Sequence, residues 1–475
     1  MYPKKVILLK TVYYVFLTLF LGIFFIRCYP LMIRTADDWR YLDYWRDYAL
    51  ALPGRGWNPG RILPEMLMPL AAQIGVYLIM PFIDSFAGAV ASGMGIVLIL
   101  FILIYLWTFG YMIRKNTECG IYRELLFVTL FLLFHFWIFR SRTFENTYMF
   151  DGLDANLYFF YVIPYMINFS VCFMWSTIRE GSDISNCPLF FKALFLSAAY
   201  FAIFSNMYSS IVIAVYASMR CLRIYTGHKG MPVKQMISRL RYELAVIIVW
   251  VYSLIVEAFG GNAAYVTGKH GGNGILADIH DTVLEAWSLY RQTNKYFAVF
   301  SAFLLVVMVW GVIRRSYEPT KLIYPIVMLV VIWIYEILLS AIVGYGYISR
   351  TMVSATYLVI LFILDIQGII YILSVKQEAI IVMPLLIVVI LSMINTTDTV
   401  FANPAGQVAQ DKMLADYLVD EMVRAEAHGI SEPVLHIPEW YSGGYDDDIE
   451  LLSTYLPHTL WKYGVISWNW DVRFE

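Results

Sequence analysis

"VILLKTVYYVFLTLFLGIFFIRC" (residues 6–28) carries only Lys10 and Arg27 as charges. As a helix it is about 35 Å long, enough to cross a hydrocarbon core about 30 Å thick. It is too long for a signal-peptide core and lacks a small-residue cleavage site, so it reads as a retained first membrane helix. Further apolar runs of roughly 15–26 residues recur along the chain, as membrane spans require.

The composition agrees. Of 475 residues, 60% are hydrophobic and only 15% are charged, against about 25% charged in an average soluble domain. The net charge of −2 and the lack of a basic face argue against a nucleic-acid partner. Cys28, Cys119, Cys172, Cys187 and Cys221 are scattered without metal-ligand spacing.

The expected fold is an all-α polytopic membrane protein of about eleven spans, with a small α+β extracytoplasmic C-terminal module. The spans fall near 6–27, 88–113, 124–139, 158–178, 191–204, 207–219, 243–259, 298–313, 322–343, 351–374 and 378–394. Stretch 62–83 is apolar, but Pro64, Pro69 and Pro81 interrupt it. It is expected to lie on or dip into the membrane. Segment 191–219 is too short for two full crossings. It reads as a hairpin whose polar turn, "SNMYSS" (205–210), is buried within the protein.

Orientation follows Lys and Arg in short loops. Lys4, Lys5, Lys10, Arg114, Lys115, Arg314, Arg315 and the basic segment 220–242 share one side if the N-terminus is cytoplasmic. The transmembrane domain is then 1–394, with outer loops 28–87, 140–157 and 260–297. Residues 395–475 form the outer module in an integral cell membrane. Within that module, "QDKMLADYLVDEMVRAEAHG" has helical periodicity with a stop at Gly429, and "PVLHIPEW" reads as a short strand.

The first outer loop concentrates chemistry in "TADDWRYLDYW" (35–45) and "GWNPGR" (56–61). Asp37 or Asp38 can take a proton from an acceptor hydroxyl. Arg40 and Arg61 match phosphate geometry. Trp39, Trp45 and Trp57 offer flat faces to a sugar ring. The plainer reading of the acidic pair is a helix N-cap, and that of the tryptophans an aromatic belt.

A first helix, an outer loop with an acidic pair and a downstream "GR", many spans and a small outer C-terminal module resemble the GT-C glycosyltransferase superfamily. The resemblance is closest to its bacterial branch of O-antigen glucosyltransferases and uncharacterised relatives. It implies a polyprenyl-phosphate sugar donor, an outward-facing site and a catalytic acid at Asp37 or Asp38, with "GR" at Gly60 and Arg61. Relatives often carry a proline-glycine-asparagine turn followed by arginine after a later span. Here "EAFGGNAAYV" (257–266) has neither that proline nor an arginine.

Other outer residues join the candidate site. Arg350, in "YGYISRTM", and Lys269 with His270 are donor or phosphate ligands. Glu145, Asn146, Asp154 and Tyr158 are sugar or acceptor ligands. Glu257 and Glu336 either line the cavity or cap it. His135 and Asn168 read as helix–helix contacts, and Asp365 as an interface group. Mg²⁺ or Mn²⁺ at Asp37 and Asp38, with Glu145 or Asp154, is the possible cofactor.

The expected function is transfer of a sugar from a lipid-linked donor to an envelope glycan or lipid acceptor. The alternatives are a lipid-linked glycan transporter or flippase, and a non-catalytic envelope-assembly subunit.

Overall fold

The computed structural model describes residues 4–44, 46, 48–117, 119–137, 150, 155–178, 184, 187–263, 274–292, 295–343, 346–374, 405–441 and 449–474. The architecture is helical throughout. Its only strands among the described residues, β1 (Val434–Leu435) and β2 (Arg473–Phe474), form one parallel pair.

Helix α1 (Lys4–Gly22) continues as a π-helical turn, Ile23–Cys28. Leu17, Leu21 and Phe25 are its buried side chains, while Ile7, Leu8, Val12, Val15, Phe16, Leu19 and Phe20 are exposed. A helix apolar on its outer faces is stable only against lipid. Among the described residues, six helices are long and apolar enough to cross a membrane: Lys4–Cys28, Ile62–Phe82, Phe86–Thr117, Ala155–Ser176, Met207–Gly227 and Pro319–Leu339. The expected last span, 378–394, lies outside the described residues.

The ends of the bundle are chemically distinct. At one end, Glu124 of α5 (Ile121–Trp137) binds Lys10 of α1 and lies 3.4 Å from Arg114 of α4 (Phe86–Thr117). Close by, Asn116 meets Ser176 at the end of α7 (Ile163–Ser176). Arg220 of α9 (Met207–Gly227) also reaches this end. It pairs with Glu243 of α11 (Arg241–Ala258) at 3.0 Å and donates to the Trp175 carbonyl.

The opposite end is built from α2 (Ala36–Asp43), α6 (Ala155–Leu157) and the turn between α8 (Leu189–Ile203) and α9. The polar turn is buried as expected but is confined to residues 204–206, and α9, at 21 residues, is long and apolar enough to cross a membrane, which the short hairpin expected over 191–219 did not allow. Phe204, Ser205 and Asn206 are buried, and the Asn206 side chain caps α9 at Tyr208 N while donating to Phe160 O.

Helix α3 (Ile62–Gln73), prolonged by a π-helical turn to Ile79, has the length and apolarity of a span but does not run through the bundle. Its residues 71–75 pack on residues 89–93, the first part of α4. A Cβ on Gly75 would sit 2.4 Å from Ala89 O, and one on Gly93 2.3 Å from Ala71 O. Both ends of α3 lie near α2. Arg61, just before it, covers Phe160, which touches Tyr41, and Phe86, just after it, stacks on Trp39. The segment therefore rises along the α2-side half of α4, which at 32 residues is about 48 Å long and exceeds the bilayer.

The second half of the chain adds α10 (Val233–Arg239), α12 (Ile275–Gln292), α13 (Lys295–Ile313), α14 (Pro319–Val343) and α15 (Gly346–Ser374). The loop expected at 260–297 thus contains a helix of 18 residues. Helices α16 (Ala405–Ala427) and α17 (Ile449–Lys462) close the structure, and Gly429 beyond α16 has φ +65°, the left-handed stop read from the sequence.

These last helices do not form a separate core. Leu414, Leu418, Leu452, Leu456 and Leu460 belong to the same hydrophobic cluster as Trp39, Met68 and Phe86. Asp416 of α16 accepts from Ser85 Oγ and Ala87 N at the start of α4. Thr459 Oγ1 donates to Trp39 O at 3.0 Å, and Tyr463 OH to Leu42 O at 3.0 Å.

Candidate functional site

The two aspartates of the first loop have opposite fates. Thr35 is the N-cap of α2 and Asp38 its third residue, and together they form a capping box. Asp38 Oδ2 accepts from Arg34 N and Thr35 N at 2.8 Å each and from Thr35 Oγ1 at 3.1 Å. Its Oδ1 accepts from Asn156 N at 3.0 Å. Asp38 is fully buried and ties the first loop to α6. Asp37, one position earlier, is 49% exposed, with Arg40 Nη1 3.7 Å from its Oδ1.

The "GWNPGR" loop is held from two sides. Arg46 is buried and donates to Pro59 O at 3.0 Å and Asn58 O at 2.9 Å. Its guanidinium lies 2.8 Å from Glu65 of α3. From the far side, Glu257 at the end of α11 accepts from Gly60 N at 2.7 Å, and Asn262 N donates to Trp57 O at 2.9 Å. A Cβ on Gly60 would lie 2.6 Å from Glu257 Oε2, which explains the glycine before Arg61. "EAFGGN" thus acts as a bracket for the first loop.

Arg61 emerges from this clamp as the N-cap of α3. Its guanidinium lies 5.7 Å from the Phe160 ring centroid and makes no ion pair or side-chain hydrogen bond with any described residue. Burial opposes its charge, but the surrounding Tyr41, Tyr161, Glu257 and Glu65 outweigh this and hold it above the usual arginine range. Tyr41 is pushed up to about 12 by burial, against the pull of Arg61 and Arg40. The charges of Arg61, Asp37, Arg40 and Glu65 all act on the Tyr41 phenol. A cation at a helix N-terminus that makes no ion pair with any described residue can accept a phosphate or another anion.

The remaining candidates divide. Trp57 is 39% exposed, with its ring 5.8 Å from Arg40 Cζ. Trp39 and Tyr158, expected as sugar ligands, are buried in the core: Trp39 stacks on Phe86 and Tyr158 packs on Phe25. Neither can present a face to a ligand, because those faces already bury apolar area. Trp45, Glu145, Asn146, Asp154, Lys269 and His270 lie outside the described residues, and Arg350 is described only by its backbone, near the start of α15.

Sequence reasoning missed Arg46, Glu65 and Tyr41. Glu65 had a signal, as a lone acid in an apolar stretch. Arg46 and Tyr41 had none beyond their nearness to the acidic pair. Among the described residues no three His, Cys, Asp or Glu side chains gather to hold a metal ion. Asp38 is moreover already engaged by four donors. His135 and Asn168 are buried and bonded within the bundle, to Phe131 O and to Pro164 O and Ala202 O respectively. Compared with known proteins, the chain matches no family description, no curated protein and no solved structure.

Proposed function

We propose that this protein is a membrane glycosyltransferase that moves a sugar from a polyprenyl-phosphate donor to a cell-envelope glycan or lipid acceptor. The observation that carries the reading is Arg61: a cation at the start of α3, beside Phe160, whose guanidinium makes no ion pair or side-chain hydrogen bond with any described residue, and whose charge acts on Tyr41 together with that of the exposed Asp37.

In this reading the acceptor hydroxyl attacks the anomeric carbon of the donor. The bond from that carbon to the phosphate oxygen breaks, and the lipid phosphate leaves toward Arg61. Asp37 takes the acceptor proton, while Asp38 holds the loop in place. Arg40 lies beside Asp37, and Arg350 is a further candidate for the phosphate. The isoprenoid chain lies among the apolar helices. The N-terminus and the Arg114–Glu124 end face the cytoplasm, the site faces outward, and residues 395–475 form an outer module over a domain of about eleven spans.

The test is transfer of a labelled lipid-linked sugar by the purified protein in lipid discs. Asp37→Asn is expected to abolish transfer and Arg61→Gln to raise the donor KM. Full transfer by both variants would overturn the reading.

A lipid-linked glycan transporter is the second reading, and Glu336 favours it. This carboxylate of α14 is buried, and neither oxygen has a hydrogen-bond partner among the described residues. Intramembrane acids of that kind line transport paths. Counterflow of labelled substrate in proteoliposomes that survives Asp37→Asn and fails in Glu336→Gln would favour transport.

A further inference from the structure

We infer that Tyr455 of α17 is a positioning residue for Arg40, so that the acceptor side of the proposed site is assembled from both ends of the chain. The activity arm of this inference rests on the glycosyltransferase reading; its chemical arm does not.

Arg40 Cζ lies 5.6 Å from the ring centroid of Tyr41, 5.8 Å from that of Trp57 and 5.8 Å from that of Tyr455. These rings come from three separate segments: α2, the "GWNPGR" loop and α17. The carboxylate beside Arg40 does not hold it tightly, since 3.7 Å to Asp37 is beyond hydrogen-bond length. Among the described residues, what fixes the guanidinium is the set of ring faces, each attracting it by its quadrupole. Its edge N–H groups make no hydrogen bond with any described residue and are open to Asp37 and to a ligand oxygen. Arg40 is 25% exposed, so those donors are within reach of a ligand.

Helix α17 is rigidly placed for this role. Thr459 and Tyr463 bond the carbonyls of Trp39 and Leu42, and His458 and Lys462 both engage Asp43 at the C-terminal end of α2. Tyr455 lies one turn before Thr459, so docking α17 on α2 sets its ring against Arg40. The division of labour follows from position. Arg61 lies in the clamp between Glu257 and Phe160, where the donor phosphate is placed. Asp37, Arg40 and Tyr455 lie on the α17 side, with Trp57 between them and the end of α11, and meet the oxygen-rich acceptor.

Tyr455→Phe and Tyr455→Leu are made in the full-length protein in lipid discs, and thermal unfolding confirms that both fold. Arg40 labelling by phenylglyoxal is followed by peptide mass spectrometry. Losing the ring face is expected to speed labelling in the leucine variant by about two- to fivefold, with the phenylalanine variant matching wild type. Equal rates in all three proteins would overturn the inference. In the transfer assay, Tyr455→Leu is expected to lower kcat at unchanged donor KM, and to have no effect in an Arg40→Gln background. Equal losses in both backgrounds would show that Tyr455 acts independently of Arg40 and would also overturn it. Absence of any transfer by wild-type protein defeats the enzyme reading instead, and the labelling arm still decides the role of Tyr455.

Discussion

Gly60 N donates to Glu257 Oε2 at 2.7 Å, joining the loop that presents Arg61 to the end of α11 across 197 positions of sequence. The contact is close enough that a single added carbon at Gly60 would meet the same oxygen at 2.6 Å. Glu257 therefore acts on the site through the backbone of its neighbour as well as through its charge.

Removing the acceptor at this contact leaves a buried N–H unpaired, at a cost of about 1–3 kcal/mol. Glu257→Ala is expected to lower the thermal midpoint accordingly. Glu257→Gln keeps an acceptor oxygen and is expected to stay near wild type in stability while weakening anion capture by Arg61. Differential scanning fluorimetry of the detergent-solubilised variants checks this, and equal midpoints for alanine and glutamine would refute it.

In the proposed mechanism the acidic pair separates into scaffold, Asp38, and reagent, Asp37. Asp38→Asn puts an amide where four donors converge, and about 1–2 kcal/mol of stability should be lost with the capping box. Asp37→Asn is expected to melt with wild type and to transfer sugar about 10²–10⁴-fold more slowly, the range of general-base catalysis. The reverse pattern, with a stable Asp38 variant and an active Asp37 variant, would contradict the assignment.

The buried Arg46–Glu65 pair supports the loop from below. Arg46→Met strands a buried carboxylate and frees the Asn58 and Pro59 carbonyls, for an expected loss of about 3–5 kcal/mol. Adding Glu65→Leu removes the stranded charge and should recover part of that loss. Unfolding midpoints of the two single variants and the double variant measure the coupling.

Alkaline titration tests the burial of Tyr41. Burial raises this phenol to about 12 in the folded protein, so the unfolded chain releases the proton first as pH rises. The contribution of Tyr41 to stability is complete below about pH 10 and is lost between about 10 and 12, reaching about 2–3 kcal/mol. Tyr41→Phe is expected to flatten the pH dependence of unfolding by that amount over that window and to change nothing below it. Parallel wild-type and variant curves would place the phenol in solvent.

Helix contact between α3 and α4 depends on two missing side chains. Gly93→Val sets a branched carbon against Ala71 O, where even a Cβ would lie at 2.3 Å, so the helices must separate. Loss of folded protein on size-exclusion chromatography is expected, with Gly95→Ala, at 3.0 Å or more from its neighbours, tolerated better.

Much of this protein was legible in one dimension. A run such as 6–28 cannot be stable in water, and its length matches a bilayer, so the class follows from composition and local periodicity alone. The same local physics gave the helix stop at Gly429, which needs no distant partner, whereas the polar turn expected at 205–210 is buried through Phe160 O, Leu63 N and Asn168. The capping reading of the acidic pair was equally local, and Asp38 realises it with Thr35 three residues away.

What the sequence could not decide was which charges meet. Asp37 and Asp38 are adjacent and alike, yet Asp38 is fully buried and accepts from Asn156 N of α6, whereas Asp37 is 49% exposed beside Arg40. Arg40, Arg46 and Arg61 are indistinguishable by type; one faces rings, one is locked against Glu65, and one, at the head of α3, makes no ion pair with any described residue. Those differences arise from α11 arriving at Gly60 and α17 arriving at Arg40, from about 200 and about 415 residues away. Local patterning specifies each helix through the backbone's own geometry, whereas the environment of a charge is set by whatever the folded chain brings within a few ångströms, and only tertiary packing determines that.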